Sequence, residues 1–93
     1  MSKESEFYEK LKISLEETTS FPTKYLYKFI ISSSVEKVSE IETIFDNMGA
    51  VIETRSSANA KYTSLSIHVT MNTSDEIIQK YLEVSKVEGV ISL

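Results

Sequence analysis

The sequence predicts an α+β domain in which two helices cover one face of a four-stranded antiparallel sheet, with an extra helix in front. Three observations carry this. The hydrophobic period switches between about 3.6 and about 2 along the chain, in the order strand, helix, strand, strand, helix, strand after the first helix. Each internal helical segment has one broad apolar stripe, so each covers one side of a sheet. The clearest strand alternates strictly, which buries one sheet face and leaves the other available.

The elements follow in order. Residues 1–5 read as a frayed polar start. Phe7, Tyr8, Leu11 and Leu15 then recur at helical spacing among Glu and Lys, which predicts a short helix from about Glu6 to Glu17. Thr18, Thr19 and Ser20 end it, and Pro22 biases Phe21 toward extended geometry. From Thr23 the period is two. A lysine in mid-strand is rarely buried unpaired, so Lys28 assigns the faces. Tyr25, Tyr27, Phe29 and Ile31 face the core, and Leu26, Lys28 and Ile30 share the other side.

Ser33-x-x-Glu36 offers a capping box for the next helix. Its stripe is Val38, Ile41, Phe45 and Met48, widened by Ile44, and Gly49 is the expected left-handed cap. Ala50 to Arg55 reads as the second strand, Ser56 to Ala60 as the turn, and Lys61 to Met71 as the third strand. In that strand Leu65, Ile67, Val69 and Met71 face one way, and Tyr62, Ser64, Ser66, His68 and Thr70 the other. Thr73-x-x-Glu76 is a second capping box, ahead of a helix that carries Ile77, Ile78, Tyr81, Leu82 and Val84 and ends near Val87. Val90, Ile91 and Leu93 form a short last strand.

Right-handed crossovers place the first and third strands in the centre, in the order 4-1-3-2. This is the ferredoxin-like α/β sandwich. Residues 1–20 form an N-terminal helical extension and residues 21–93 the ferredoxin-like domain. A chain of 93 residues has room for one core, and 41% hydrophobic residues is too many for a disordered tail. No apolar run exceeds that of Phe29-Ile30-Ile31, far below the ~20 residues needed to span a bilayer. No apolar stretch follows Lys3, so no secretory leader is expected, and the absence of cysteine is compatible with a cytoplasmic protein.

The residue chemistry argues against an enzyme. His68 is the sole histidine and there is no cysteine, so neither a zinc site nor a cofactor is expected. No Gly-x-Ser-x-Gly elbow is present, and the two glycines are too few for a phosphate-cradling loop. RNA-recognition domains share this topology but stack bases on aromatics of the two central strands. Here those positions hold Lys28, Ser64, Ser66 and His68, with Tyr62 alone at one end, and the net charge is −4. Nucleic acid is therefore disfavoured.

Two surfaces remain. Arg55, Ser57, Asn59, Lys61 and Tyr62 place cations, donors and an aromatic on a short hairpin, where polar residues also collect without any function. With Lys28 and Ser64 on the adjoining strands, they are the candidate site for a protein partner or an anionic small ligand. Leu26 and Ile30 on the open face are candidates for self-association as a homodimer, or for a cover formed by Phe7, Leu11 and Leu15 of the first helix.

Phe21-Pro22-Thr23, Tyr27-Lys28, the run Lys61-Tyr62-Thr63-Ser64-Leu65-Ser66-Ile67 and the closing Glu88-Gly89-Val90-Ile91-Ser92-Leu93 resemble the YbeD-like family of uncharacterised bacterial proteins. The resemblance spans Phe21 to Leu93, and Phe21, Pro22, Lys28, Ser57, Tyr62 and Ser64 match its pattern. It implies a small cytoplasmic ferredoxin-like protein, similar in architecture to the ACT domains that regulate amino-acid enzymes, and brings no activity, substrate or cofactor. The turn departs from the pattern. Many members have a proline just before the matched serine and a glycine two before the tyrosine, where this chain has Ser56 and Ala60. The expected role is thus a non-enzymatic regulatory or adaptor domain, with a small-ligand sensor and an RNA-binding module as alternatives.

Overall fold

The computed structural model describes residues 3–92, with side chains from Glu6 onward. Met1, Ser2 and Leu93, the last of these expected in the final strand, lie outside the described residues. The elements are α1 (Lys3–Thr18), β1 (Thr23–Ser32), α2 (Val35–Ile44), β2 (Val51–Ser56), β3 (Tyr62–Met71), α3 (Ser74–Ser85) and β4 (Ile91–Ser92). The sheet order is β2-β3-β1-β4, with every neighbouring pair antiparallel. This is the predicted ferredoxin-like arrangement.

The face assignments of both central strands hold. Tyr27, Phe29 and Ile31 of β1 and Leu65, Ile67, Val69 and Met71 of β3 are buried. Ile41 and Phe45 from the α2 side and Ile77 and Val84 of α3 close the core over them. The Tyr27 hydroxyl donates to the Ile77 carbonyl at 3.0 Å, and the Tyr25 and Tyr81 hydroxyls lie 2.8 Å apart, so these buried and half-buried phenols keep polar partners.

Several local expectations are corrected. The N-terminal segment is not frayed from the start, because α1 already includes Lys3. Ser34, not Ser33, caps α2, its Oγ accepting from Lys37 N–H, so Glu36 is not the third helical residue and no capping box forms there. Ser33 instead bonds Thr63 through its hydroxyl, at 3.0 Å. Helix α2 stops at Ile44 rather than near Met48. Its ladder tightens through Phe45 N–H to Glu42 O and Asp46 N–H to Thr43 O, and the Lys80 ammonium donates to the Ile44 carbonyl at 2.8 Å. A side chain from α3 thereby supplies a partner that another helical turn would have given. Gly49 does take the expected left-handed conformation, φ +69°, and Asn47 takes it as well.

At α3 the capping residue is as expected, with Thr73 Oγ1 accepting from Glu76 N–H. The return bond goes one residue further back, since Glu76 Oε2 accepts from Asn72 N–H at 2.9 Å. Helix α3 ends at Ser85, and β2 is shifted one residue toward the C-terminus.

Helix α1 does not cover the open sheet face. Its Leu15 is buried in the core on the helical side, Lys12 pairs with Asp75 at 2.8 Å, and Ser74 Oγ donates to Glu16 at 2.9 Å. The ring of Tyr8 lies 6.2 Å from that of Tyr81. The start of α3 offers matching polar groups beside an apolar cleft, and the amphipathic helix takes that place. Phe7 remains exposed.

The hairpin explains how the chain manages without a glycine at Ala60. Ala60 adopts φ +57°, the left-handed region, and its N–H bonds the Ser57 carbonyl at 2.9 Å. A Cβ there costs about 1–2 kcal/mol, against about 0.5–1 kcal/mol of extra chain entropy that glycine loses on folding. Ala60→Gly is therefore expected to raise stability by a few tenths to about 1 kcal/mol in a urea titration, and Ala60→Val to lower it. A loss with glycine would mean that the turn does not hold this conformation in solution.

Candidate functional site

The open face is a grid set by strand register. Leu26 stands opposite His68, Lys28 opposite Ser66 and Ile30 opposite Ser64. On the far side of β3, Val51 stands opposite His68, Glu53 opposite Ser66 and Arg55 opposite Ser64. Three rows cross β1, β3 and β2: Leu26–His68–Val51, Lys28–Ser66–Glu53 and Ile30–Ser64–Arg55. Strand β4 adds Ile91 beside Ile30. Leu26, Val51, Tyr62 and Ile91 are all exposed on this face, between 42% and 58% of their full area. No helix among the described residues packs over it.

At the hairpin end, Ile30, Arg55, Ser56, Ser57, Tyr62 and Ser64 line a shallow depression of about 190 Å³. The structure thus brings together four of the expected site residues, Arg55, Ser57, Tyr62 and Ser64, and adds Ile30. It does not bring in Lys28 or Lys61. Register places Lys28 opposite Ser66, one row away, and Lys61 is exposed outside the depression.

Two of the expected donors already have work within the hairpin. Ser57 Oγ donates to Asn59 Oδ1 at 2.8 Å and accepts from Tyr62 N–H, and Asn59 Oδ1 also accepts from Lys61 N–H. Ser64 Oγ donates to the Arg55 carbonyl at 3.3 Å. These hydroxyls shape the hairpin before they can bind anything. Arg55 makes no ion pair among the described residues, so its guanidinium is the free cation of the depression.

Sequence reasoning missed Glu53 and Val51. The second strand alternates poorly, and only its pairing with β3 puts Val51, Glu53 and Arg55 on the open face. A second groove, of about 300 Å³, lies at that corner between Leu26, His68, Val51, Lys24 and Gly49. His68 is exposed there with no hydrogen-bonded partner among the described residues. No group of three or more His, Cys, Asp or Glu among the described residues is placed to hold a metal ion, and no helix among them is long and apolar enough to cross a membrane.

Residues 16–93 match the model of a protein family described as protein of unknown function (DUF493). The chain belongs to this family. For DUF493 the match begins inside α1, at the residue after buried Leu15, and takes in the whole sheet. No curated protein matches the chain. Among solved structures, the ACT domain from the GTP pyrophosphokinase of Chlorobium tepidum is similar, with a TM-score of 0.53 and 14% identity. The match covers 76% of this chain and 100% of that one. At that identity the likeness is one of fold, and it makes this DUF493 chain ACT-like in architecture.

Proposed function

We propose that this domain is a non-enzymatic regulatory or adaptor module that acts by binding, ACT-like in use as in architecture. Within DUF493 it groups with the YbeD-like bacterial members and works in the cytoplasm. The observation that carries this is the depression at the hairpin mouth, which Arg55, without an ion pair among the described residues, lines together with Tyr62 and Ile30. A cation next to apolar surface suits a carboxylate attached to a small apolar body. At about 190 Å³ the depression falls below the ~300–1,000 Å³ of whole-ligand pockets. It is sized for one group: an acidic side chain of a protein partner, or the carboxylate end of a small metabolite. The open face argues against RNA, since Glu53 lies in its middle row and Tyr62 is the single Phe, Tyr or Trp on it among the described residues.

The test is capture from native lysate on the immobilised chain, with protein and metabolite analysis of what is retained. Arg55→Glu and Tyr62→Ala are expected to lose the retained species, and Lys61→Glu to keep it. All three should melt within a few degrees of the parent, as exposed changes usually do. A retained protein complex marks the adaptor, and a retained carboxylic acid the sensor. If Arg55→Glu and Tyr62→Ala both fold and retain everything the parent does, the hairpin is only a hairpin.

A further inference from the structure

The middle row of the open face carries a charge pattern that the fold itself does not use. Lys28 and Glu53 flank Ser66 from opposite sides, on β1 and β2. Neighbouring strands lie about 4.8 Å apart, so the two backbones are about 10 Å apart across β3. Neither residue makes an ion pair among the described residues, and both are exposed. The rows on either side carry apolar residues at the same two outer positions: Leu26 and Val51 in one, Ile30 and the aliphatic stem of Arg55 in the other.

This pattern is self-complementary under one rotation. A two-fold axis running along β3 between two facing sheets lays β1 of one copy over β2 of the other. Lys28 then meets Glu53 of the second copy, and Glu53 meets its Lys28. Leu26 meets Val51, Ile30 meets the Arg55 stem, and Ser64, Ser66 and His68 of β3 meet themselves. The alternative axis, across the strands through Ser66, sets Lys28 on Lys28 and Glu53 on Glu53. Coulomb repulsion disfavours that packing, so the charges select the first. Aligned packing of two sheets about 10 Å apart is a standard solution for an uncovered face.

We propose that the open face of this domain is a homodimer interface, two copies packing sheet to sheet about an axis along β3, with reciprocal Lys28–Glu53 ion pairs. With β1 laid over the six-residue β2 and β3 over itself, the overlapping face is on the order of 350 Å² per copy. A pair therefore buries about 700 Å², below the ~1,000 Å² of standard specific interfaces, which corresponds to a weak, reversible dimer held by its charge pairs. The interface accounts for exposed Leu26 and Val51, whose corner groove of about 300 Å³ has room for the facing apolar side chains. The interface goes beyond the binding reading but shares Ile30, Ser64 and Arg55 with the hairpin-mouth depression, so a dimer and a species held at that mouth compete for them. Lysate capture tests that reading, and the state of association tests this one.

The experiment is sedimentation of the full chain between roughly 1 and 100 µM, where a weak reversible dimer dissociates. The parent is expected to dimerise. Lys28→Glu and Glu53→Lys each place like charges in both reciprocal contacts, and each should weaken the dimer by at least about a hundredfold. The double variant Lys28→Glu/Glu53→Lys restores both pairs and should dimerise again. An equimolar mixture of the two single variants should form a heterodimer, because every opposed pair is then of opposite sign. A parent that is monomeric at 100 µM, single variants that still dimerise, or a folded double variant that stays monomeric would each overturn the proposal.

Discussion

Replacing Ile67 by alanine is expected to lower stability by about 2–5 kcal/mol, the range for a large aliphatic removed from a packed core. Ile67 sits at the middle of central strand β3, with Tyr27 of β1 and Ile52 of β2 as cross-strand neighbours, and it is fully buried. Its truncation leaves a cavity that two hydrogen-bonded strands and the helical layer hold open, so little of the loss can be recovered by collapse. His68→Ala is the internal control. It lies one residue along the same strand, points to the open face and is exposed, so it should cost less than half as much. Urea titration of both variants reads the difference directly. Equal losses would mean that the faces of β3 are reversed.

Tyr27→Ala should cost about 3–5 kcal/mol, the range for a buried ring. The Tyr27 ring is the hub of the aromatic core, with centroids 4.7 Å from Tyr25, 4.8 Å from Tyr81 and 5.0 Å from Phe45. Tyr27→Phe keeps the ring and removes only the hydroxyl that donates to the Ile77 carbonyl, so about 0.5–1.5 kcal/mol should be lost. The hydroxyl also gives a pH signature. Burial, reinforced by Tyr81 and Tyr25, pushes the Tyr27 phenol well above the ordinary tyrosine range, and burial with the Tyr25 hydrogen bond does the same to Tyr81. The folded state therefore keeps protons that the unfolded chain sheds above a pH of about 10. Stability from this source is fully present below that pH and falls as pH rises beyond it. Titrations at pH 9 and pH 11 should show a drop for the parent and a smaller one for Tyr27→Phe. An identical drop would mean that Tyr27 is not protected from ionisation.

The candidate site was legible in part. Arg55, Ser57, Tyr62 and Ser64 could be grouped from sequence because all lie on or next to one hairpin, and a hairpin brings its own residues together whatever the rest of the fold does. That Ser57 and Ser64 spend their hydroxyls on the turn could not be read, since it depends on the position of Asn59 and on the pairing of Arg55 with Ser64. The distance of Lys28 from the hairpin depends on strand register, which sequence does not fix, and the actual register puts it one row away.

By itself, the sequence determined which face of each central strand is buried, and the order of the strands. Side-chain period is a local property: once Lys28 must stay in water, Tyr27 and Phe29 must go in, and the handedness of crossovers does the rest. Tertiary structure alone decided where α1 docks, where α2 stops and how the open face is charged. Helix α1 docks by burying Leu15 and packing Leu11 against the core, with Lys12–Asp75 and Ser74–Glu16 as polar contacts to α3 beside them. Helix α2 ends at Ile44, whose carbonyl accepts from Lys80, thirty-six residues away. Glu53 entered the row of Lys28 through the pairing of β2 with β3. Each of these depends on partners distant in the chain, whose free energy is realised only when the elements pack, so no local window of residues contains it.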